Sequence, residues 1–202
     1  TACKNDKKQK TEDASLSVVG GSVATRALYD QFFKSVASLQ ISGSHFCGGT
    51  LIAKNLVMTA AHCLADFPAS SITRQIQVVL GSNSINSRVG AEVFSVASYQ
   101  IDSRYSARSN RYDLAMITLK GESTFTPASL NSDRNLPAVG ATTYVAGWGL
   151  TQEEGTRSTT IKYAPLNVVS NTVCANTYGN NIFSGNICAY ANGADACQGD
   201  SG

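Results

Sequence analysis

Between residues 18 and 119 the chain is dominated by short apolar and β-branched runs, broken every few positions by glycine, serine or asparagine. Ser35–Ile41, Phe46–Ala53, Leu56–Thr59, Gln75–Leu80, Glu92–Ala97 and Leu114–Leu119 each have the length and composition of a strand. Six such strands with tight breaks predict a small closed antiparallel barrel, since closure removes exposed edges. Ala60–Leu64 reads as one helical turn. Residues 120–138 lose the periodicity and carry two prolines, which predicts a crossover. Beyond it, Ala141–Trp148, Ile161–Val169 and Asn186–Tyr190 read as strands of a second unit, 139–202. A short helix is expected to start near Ser170 or Asn171, either of which caps well by accepting a backbone N–H. Residues 1–17 stand apart as a polar leader, with four lysines against three acids and no apolar face.

Bulk properties narrow the function classes. The 202 residues are 43% hydrophobic and 15% charged, enough for a sizeable core in one or two domains. A net charge of +2 is too weak to make nucleic acid or an anionic membrane the main partner. No apolar run approaches the roughly 20 residues of a membrane-spanning helix. The leader also lacks the apolar centre of a signal peptide.

Three motifs carry chemistry: Thr59-Ala60-Ala61-His62-Cys63, Asp113-Leu114-Ala115 and Gln198-Gly199-Asp200-Ser201-Gly202. Any one alone is more often a turn, a packed histidine or a strand start. Together they hold the parts of a nucleophilic hydrolase. A serine hydroxyl needs a general base at neutral pH. Imidazole titrates in the right range, and a carboxylate fixes its tautomer and stabilises its cation. The order His, Asp, Ser differs from the orders found in subtilisin and in the α/β-hydrolases.

With Gly147-Trp148-Gly149 and Cys47-Gly48-Gly49-Thr50-Leu51, these motifs resemble the trypsin and chymotrypsin family of serine proteases, from Val18 to Gly202. The resemblance implies an all-β fold of two six-stranded antiparallel β-barrels, the second incomplete in this chain. It implies His62 as base, Asp113 as its orienting acid and Ser201 as nucleophile. The N–H groups of Gly199 and Ser201 would form the oxyanion hole. Asp195, six residues before Ser201, matches the acid at the base of a trypsin-like specificity pocket and implies cleavage after Lys or Arg. Asp200 would pair with the amine of Val18 once a zymogen is cut. That cut would follow Ser17, so an activating protease of other specificity, or a non-zymogen arrangement, is implied. Val18-Val19-Gly20-Gly21 resembles the start of a mature protease.

The resemblance further implies bridges Cys47–Cys63 and Cys174–Cys188, with Cys3 and Cys197 left without assigned partners. A bridge framework fits a secreted, extracellular protein. His45 is read as structural. No metal or other cofactor is expected: Ser82 stands where the family's calcium loop has a glutamate, and Glu92 alone supplies too few oxygens. Protein or peptide substrates, protein protease inhibitors and a monomeric state are the expected partners and assembly. The alternative is a catalytically silent homologue or fragment acting as a binding or inhibitory module.

Overall fold

A computed structural model describes residues 21–150, 156–192 and 200–202. Val18, Asp195 and Gly199 lie outside the described residues, as do Cys3 and Cys197.

Six strands close into a barrel. They are β2 (Val36–Ile41), β3 (Ser44–Ala53), β4 (Leu56–Thr59), β5 (Ile76–Leu80), β6 (Glu92–Ile101) and β7 (Ala115–Leu119), in the order β2-β3-β4-β7-β6-β5. The alternation expected of half-buried strands is plain in β7, where Ala115, Ile117 and Leu119 are buried and the residues between are not. These side chains meet Leu39, Leu51, Val57, Val78, Leu80 and Val96 in one core. The β2–β3 hairpin turns through Ser42 and Gly43, both at positive φ (51° and 79°), the pair of conformations a two-residue turn of this kind requires.

Two short helices lie between β4 and β5. α2 (His62–Ala65) is the expected helical turn, and α3 (Ala69–Gln75) tucks Ile72 into the barrel core. β6 runs four residues past the expected end at Ala97. The register shifts between Val96 and Ser98, so a bulge at Ala97 resets the alternation and the strand continues.

The second unit is a four-stranded antiparallel sheet centred on β9 (Lys162–Val169). β8 (Thr142–Gly147) pairs along its length. β1 (Ser22–Val23) and β10 (Cys188–Tyr190) pair with the two ends of β9. α4 (Asn171–Tyr178) begins as expected, with the Ser170 hydroxyl accepting from the Val173 N–H. A second core joins the units: Ala24 and Tyr29, beside and within α1 (Arg26–Phe32), pack with Trp148 and Ile161, while Val36 of β2 adds its flank.

Candidate active site

The barrel register brings His62 and Asp113 together. Thr59, the last residue of β4, pairs with Ala115, the first of β7. The chain leaving β4 reaches His62 three residues later, and the chain entering β7 passes Asp113 two residues earlier. The main-chain N–H of His62 donates to Asp113 Oδ1 at 2.8 Å, and His62 Nδ1 lies 2.7 Å from Oδ2. A carboxylate facing Nδ1 places the proton there and leaves Nε2 with its lone pair. The His62 ring is 42% exposed, so a reactant reaches Nε2 from solvent.

Ser201 comes to the same place from the other end of the chain. Its carbonyl accepts from the Gly48 N–H at 2.6 Å, and the Gly48 carbonyl accepts from the Thr59 hydroxyl at 2.8 Å. Gly48 has no side chain to hold this segment away; a Cβ there would sit 3.4 Å from the Ser201 carbonyl oxygen. The Cys47–Cys63 bridge lies at the meeting point. Cys63 Sγ is 3.8 Å from His62 Nε2 and 3.7 Å from the Ser201 carbonyl oxygen. Both are contacts, because a bridged sulfur has no proton to donate. Cys47, His62 and Cys63 are also the only metal-ligand-like cluster of three among the described residues, but the two sulfurs are bonded to each other and offer no thiolate. Among the described residues the Ser201 hydroxyl makes no hydrogen bond to His62. Such bonds often tighten only when a reactant is bound.

Asp200 turns the other way, accepting from the Gly149 N–H at 2.7 Å. A Cβ at Gly147 or Gly149 would overlap its carboxyl group. The Gly-Trp-Gly sequence is thus a cradle for Asp200. Trp148 between the glycines is buried, donates Nε1–H to the Asn83 carbonyl at 3.1 Å, and meets the His45 ring edge-on at 5.6 Å. His45 is buried and lies 2.8 Å from the Ser38 hydroxyl, which also accepts from Gln40. Sequence reading missed Ser38, Gln40, and the roles of Gly48 and Thr59. The signal for Gly48 was present, since glycine inside a strand marks close backbone approach.

Cys174 and Cys188 are bridged, tying α4 to β10. Glu92 is committed to the loop after β7. It accepts from the Ser123 hydroxyl at 2.6 Å and from the Thr124 N–H and hydroxyl. Burial pushes its carboxyl up, but these hydrogen bonds outweigh it and hold the group below its ordinary range. Among the described residues no helix is long and apolar enough to cross a membrane.

A closed barrel that sets a histidine against an aspartate, with a serine segment strapped beside them, is the framework of a chymotrypsin-like serine protease. The family model described as Trypsin matches residues 18–202, and the chain belongs to that family as a trypsin-like serine endopeptidase. It is 39% identical to trypsin delta and to trypsin gamma of Drosophila melanogaster over 191 residues, covering 92% of this chain and 72% of each relative. Trypsin alpha of Drosophila erecta is 40% identical over 192 residues. Among solved structures, human heparin binding protein superposes with a TM-score of 0.77 at 29% identity, over 91% of this chain and 78% of that one. Mouse neuropsin, a serine protease expressed in the limbic system, gives 0.79 at 26% identity, over 90% and 79%.

Proposed function

We propose that this protease cuts peptide bonds after Lys or Arg through an acyl-enzyme on Ser201. His62 takes the Ser201 proton as the hydroxyl attacks the carbonyl carbon, then gives it to the leaving amine. Asp113 orients the ring and stabilises its cation. The N–H groups of Gly199 and Ser201 receive the oxyanion. Water then attacks the ester, with His62 again as base. The observation that carries this reading is the two-point contact between His62 and Asp113 beside the strapped Ser201 segment.

Asp195 sits at the base of the specificity pocket in this reading. Val18, freed by cleavage after Ser17, supplies an amine for Asp200. Residues 18–119 form the first barrel, 120–138 the crossover, and 139–202 part of a second barrel. The protein is secreted and monomeric, and protein protease inhibitors bind the same cleft.

Titration with a fluorophosphonate tests the core of it. The expected result is one equivalent of label on Ser201, located by peptide mass mapping, with loss of peptide-amide turnover. Label on another residue, or turnover that survives full labelling of Ser201, would sink the mechanism.

A further inference from the structure

The segment between Asp102 and Asp113 carries three arginines, and it is built to present two of them. Asp102 takes up the first: Arg104 Nε and Nη2 donate to its two oxygens at 3.0 and 2.7 Å. The Arg104 guanidinium then lies 4.2 Å from the Tyr112 ring centre. The loop closes on itself where the Ser106 N–H donates to the Arg111 carbonyl at 3.1 Å, and it turns through Ser106–Ser109 with Asn110 at φ 49°. Arg108 stands in that turn. Arg111 sits at its base, two residues before Asp113, with its guanidinium 4.7 Å from the ring centre of Phe183 in the second unit.

Both arginines are exposed, and neither pairs with a carboxylate among the described residues. No acid near the loop forms an ion pair with either arginine among the described residues. Asp102 is held by Arg104 and Asp113 by His62, while Asp66 makes no ion pair. A pinned loop leading into Asp113 therefore offers two cations without an ion-pair partner among the described residues, Arg111 lying against Phe183 of the second unit. Because the loop is already ordered, little conformational freedom is lost when an anion docks.

We infer that Arg108 and Arg111 make this protease select substrates with an acidic residue a few positions from the scissile bond. The inference rests on His62, Asp113 and Ser201 being the reacting centre. Two cations three residues apart beside that centre fit one or two carboxylates of an extended peptide. A sulfated polysaccharide asks for a broader basic surface, which a net charge of +2 does not supply.

The test is a set of quenched peptides sharing whichever residue the wild type cleaves after best, with Glu, Gln or Lys placed singly at each neighbouring position. Each exposed charge pair is worth about 2- to 5-fold. The best-placed Glu should therefore raise kcat/KM by that factor over Gln, and Lys should lower it, the contrast shrinking in about 0.5 M salt. The Glu-to-Gln ratio is read within each protein. In Arg108→Gln/Arg111→Gln it should fall to about one, and in Arg108→Glu/Arg111→Glu Lys should become the favoured residue. A flat profile in wild type overturns the inference, as does a Glu preference that survives in both variants. Heparin-column retention that depends on Arg108 and Arg111, alongside a flat peptide profile, also overturns it and makes the loop a polysaccharide site. Absence of cleavage of every peptide is a separate result, counting against the protease reading. In that event binding of a labelled Glu-containing peptide to Ser201→Ala still decides the role of the arginines.

Discussion

Asp113 spends both carboxylate oxygens on one residue: Oδ1 on the main-chain N–H of His62 and Oδ2 on its ring. The main-chain bond fixes where the histidine starts, and the ring bond fixes where it points. An amide in place of the carboxylate keeps the shape but presents an N–H or a weaker acceptor to Nδ1. Asp113→Asn should therefore leave thermal stability near wild type and lower kcat on the order of 10⁴-fold, the size known for this substitution in the family's type enzyme. Steady-state kinetics beside a melting curve check both halves.

If His62 and Ser201 act as one unit, their losses do not multiply. Ser201→Ala, His62→Ala and the double variant should show similar residual activity. A double variant slower than either single one by the product of their effects would show independent roles.

The specificity role proposed for Asp195 is tested by exchange of substrate preference. Asp195→Ser should cut kcat/KM for Lys and Arg peptides by orders of magnitude and spare Phe or Leu peptides. In the proposed role a carboxylate withdrawn from water would both attract the cation and penalise every uncharged rival. A peptide-amide library run on both proteins gives the answer, and a mutant that keeps its basic preference makes Asp195 a loop acid.

Glu92 contributes a pH-dependent part of barrel stability. Its folded-state pKa is depressed, so its contribution is present above the unfolded value and is lost as pH falls through the folded one. Glu92→Gln should cost about 1 kcal/mol or less at neutral pH, the size of a typical hydrogen bond, since the Thr124 bonds are exposed and the Ser123 bond is part-buried. The gap between wild type and variant should close as pH drops below about 4. Chemical denaturation across that range measures it.

The Asp200 cradle makes a steric prediction. Gly149→Ala drives a methyl group into the Asp200 carboxyl and should destabilise the protein by about 1–3 kcal/mol. Gly185→Ala, whose Cβ meets Phe183 ring atoms no closer than 3.8 Å, should be tolerated. Urea midpoints of the two variants separate the cradle from a general intolerance of substitution.

Much of the barrel was legible because its strands alternate or run apolar between turn residues, a pattern carried within each segment. What escaped notice lacked such a pattern. β1 is two exposed residues, paired with β9 some 140 positions away, and two residues carry no period. α1 and α3 are seven residues each and bury one side chain apiece, Tyr29 and Ile72, so neither shows an apolar face. β6 was cut short at Ala97 because the bulge there breaks the alternation. The site divides the same way. His62, Asp113 and Ser201 sit in local motifs. The partners of Asp200 and His45 are set by long-range packing, and only the glycines at 48, 147 and 149 hinted at where backbone comes close.

Asp200 and Ser201 are neighbours in sequence, yet they are tied to different bodies. Asp200 is bonded to Gly149, two residues past the end of β8, and Ser201 to Gly48 within β3 of the barrel. Consecutive Cα atoms stand about 3.8 Å apart and have no slack between them. Any sliding of one unit past the other therefore loads this short segment along with the shared Tyr29–Trp148 core, and one of the two bonds must yield early. That segment works as a mechanical fuse. Catalysis should fail at milder denaturant than either unit's core unfolds, so loss of turnover gauges strain at the seam before spectroscopy registers a change in the strands.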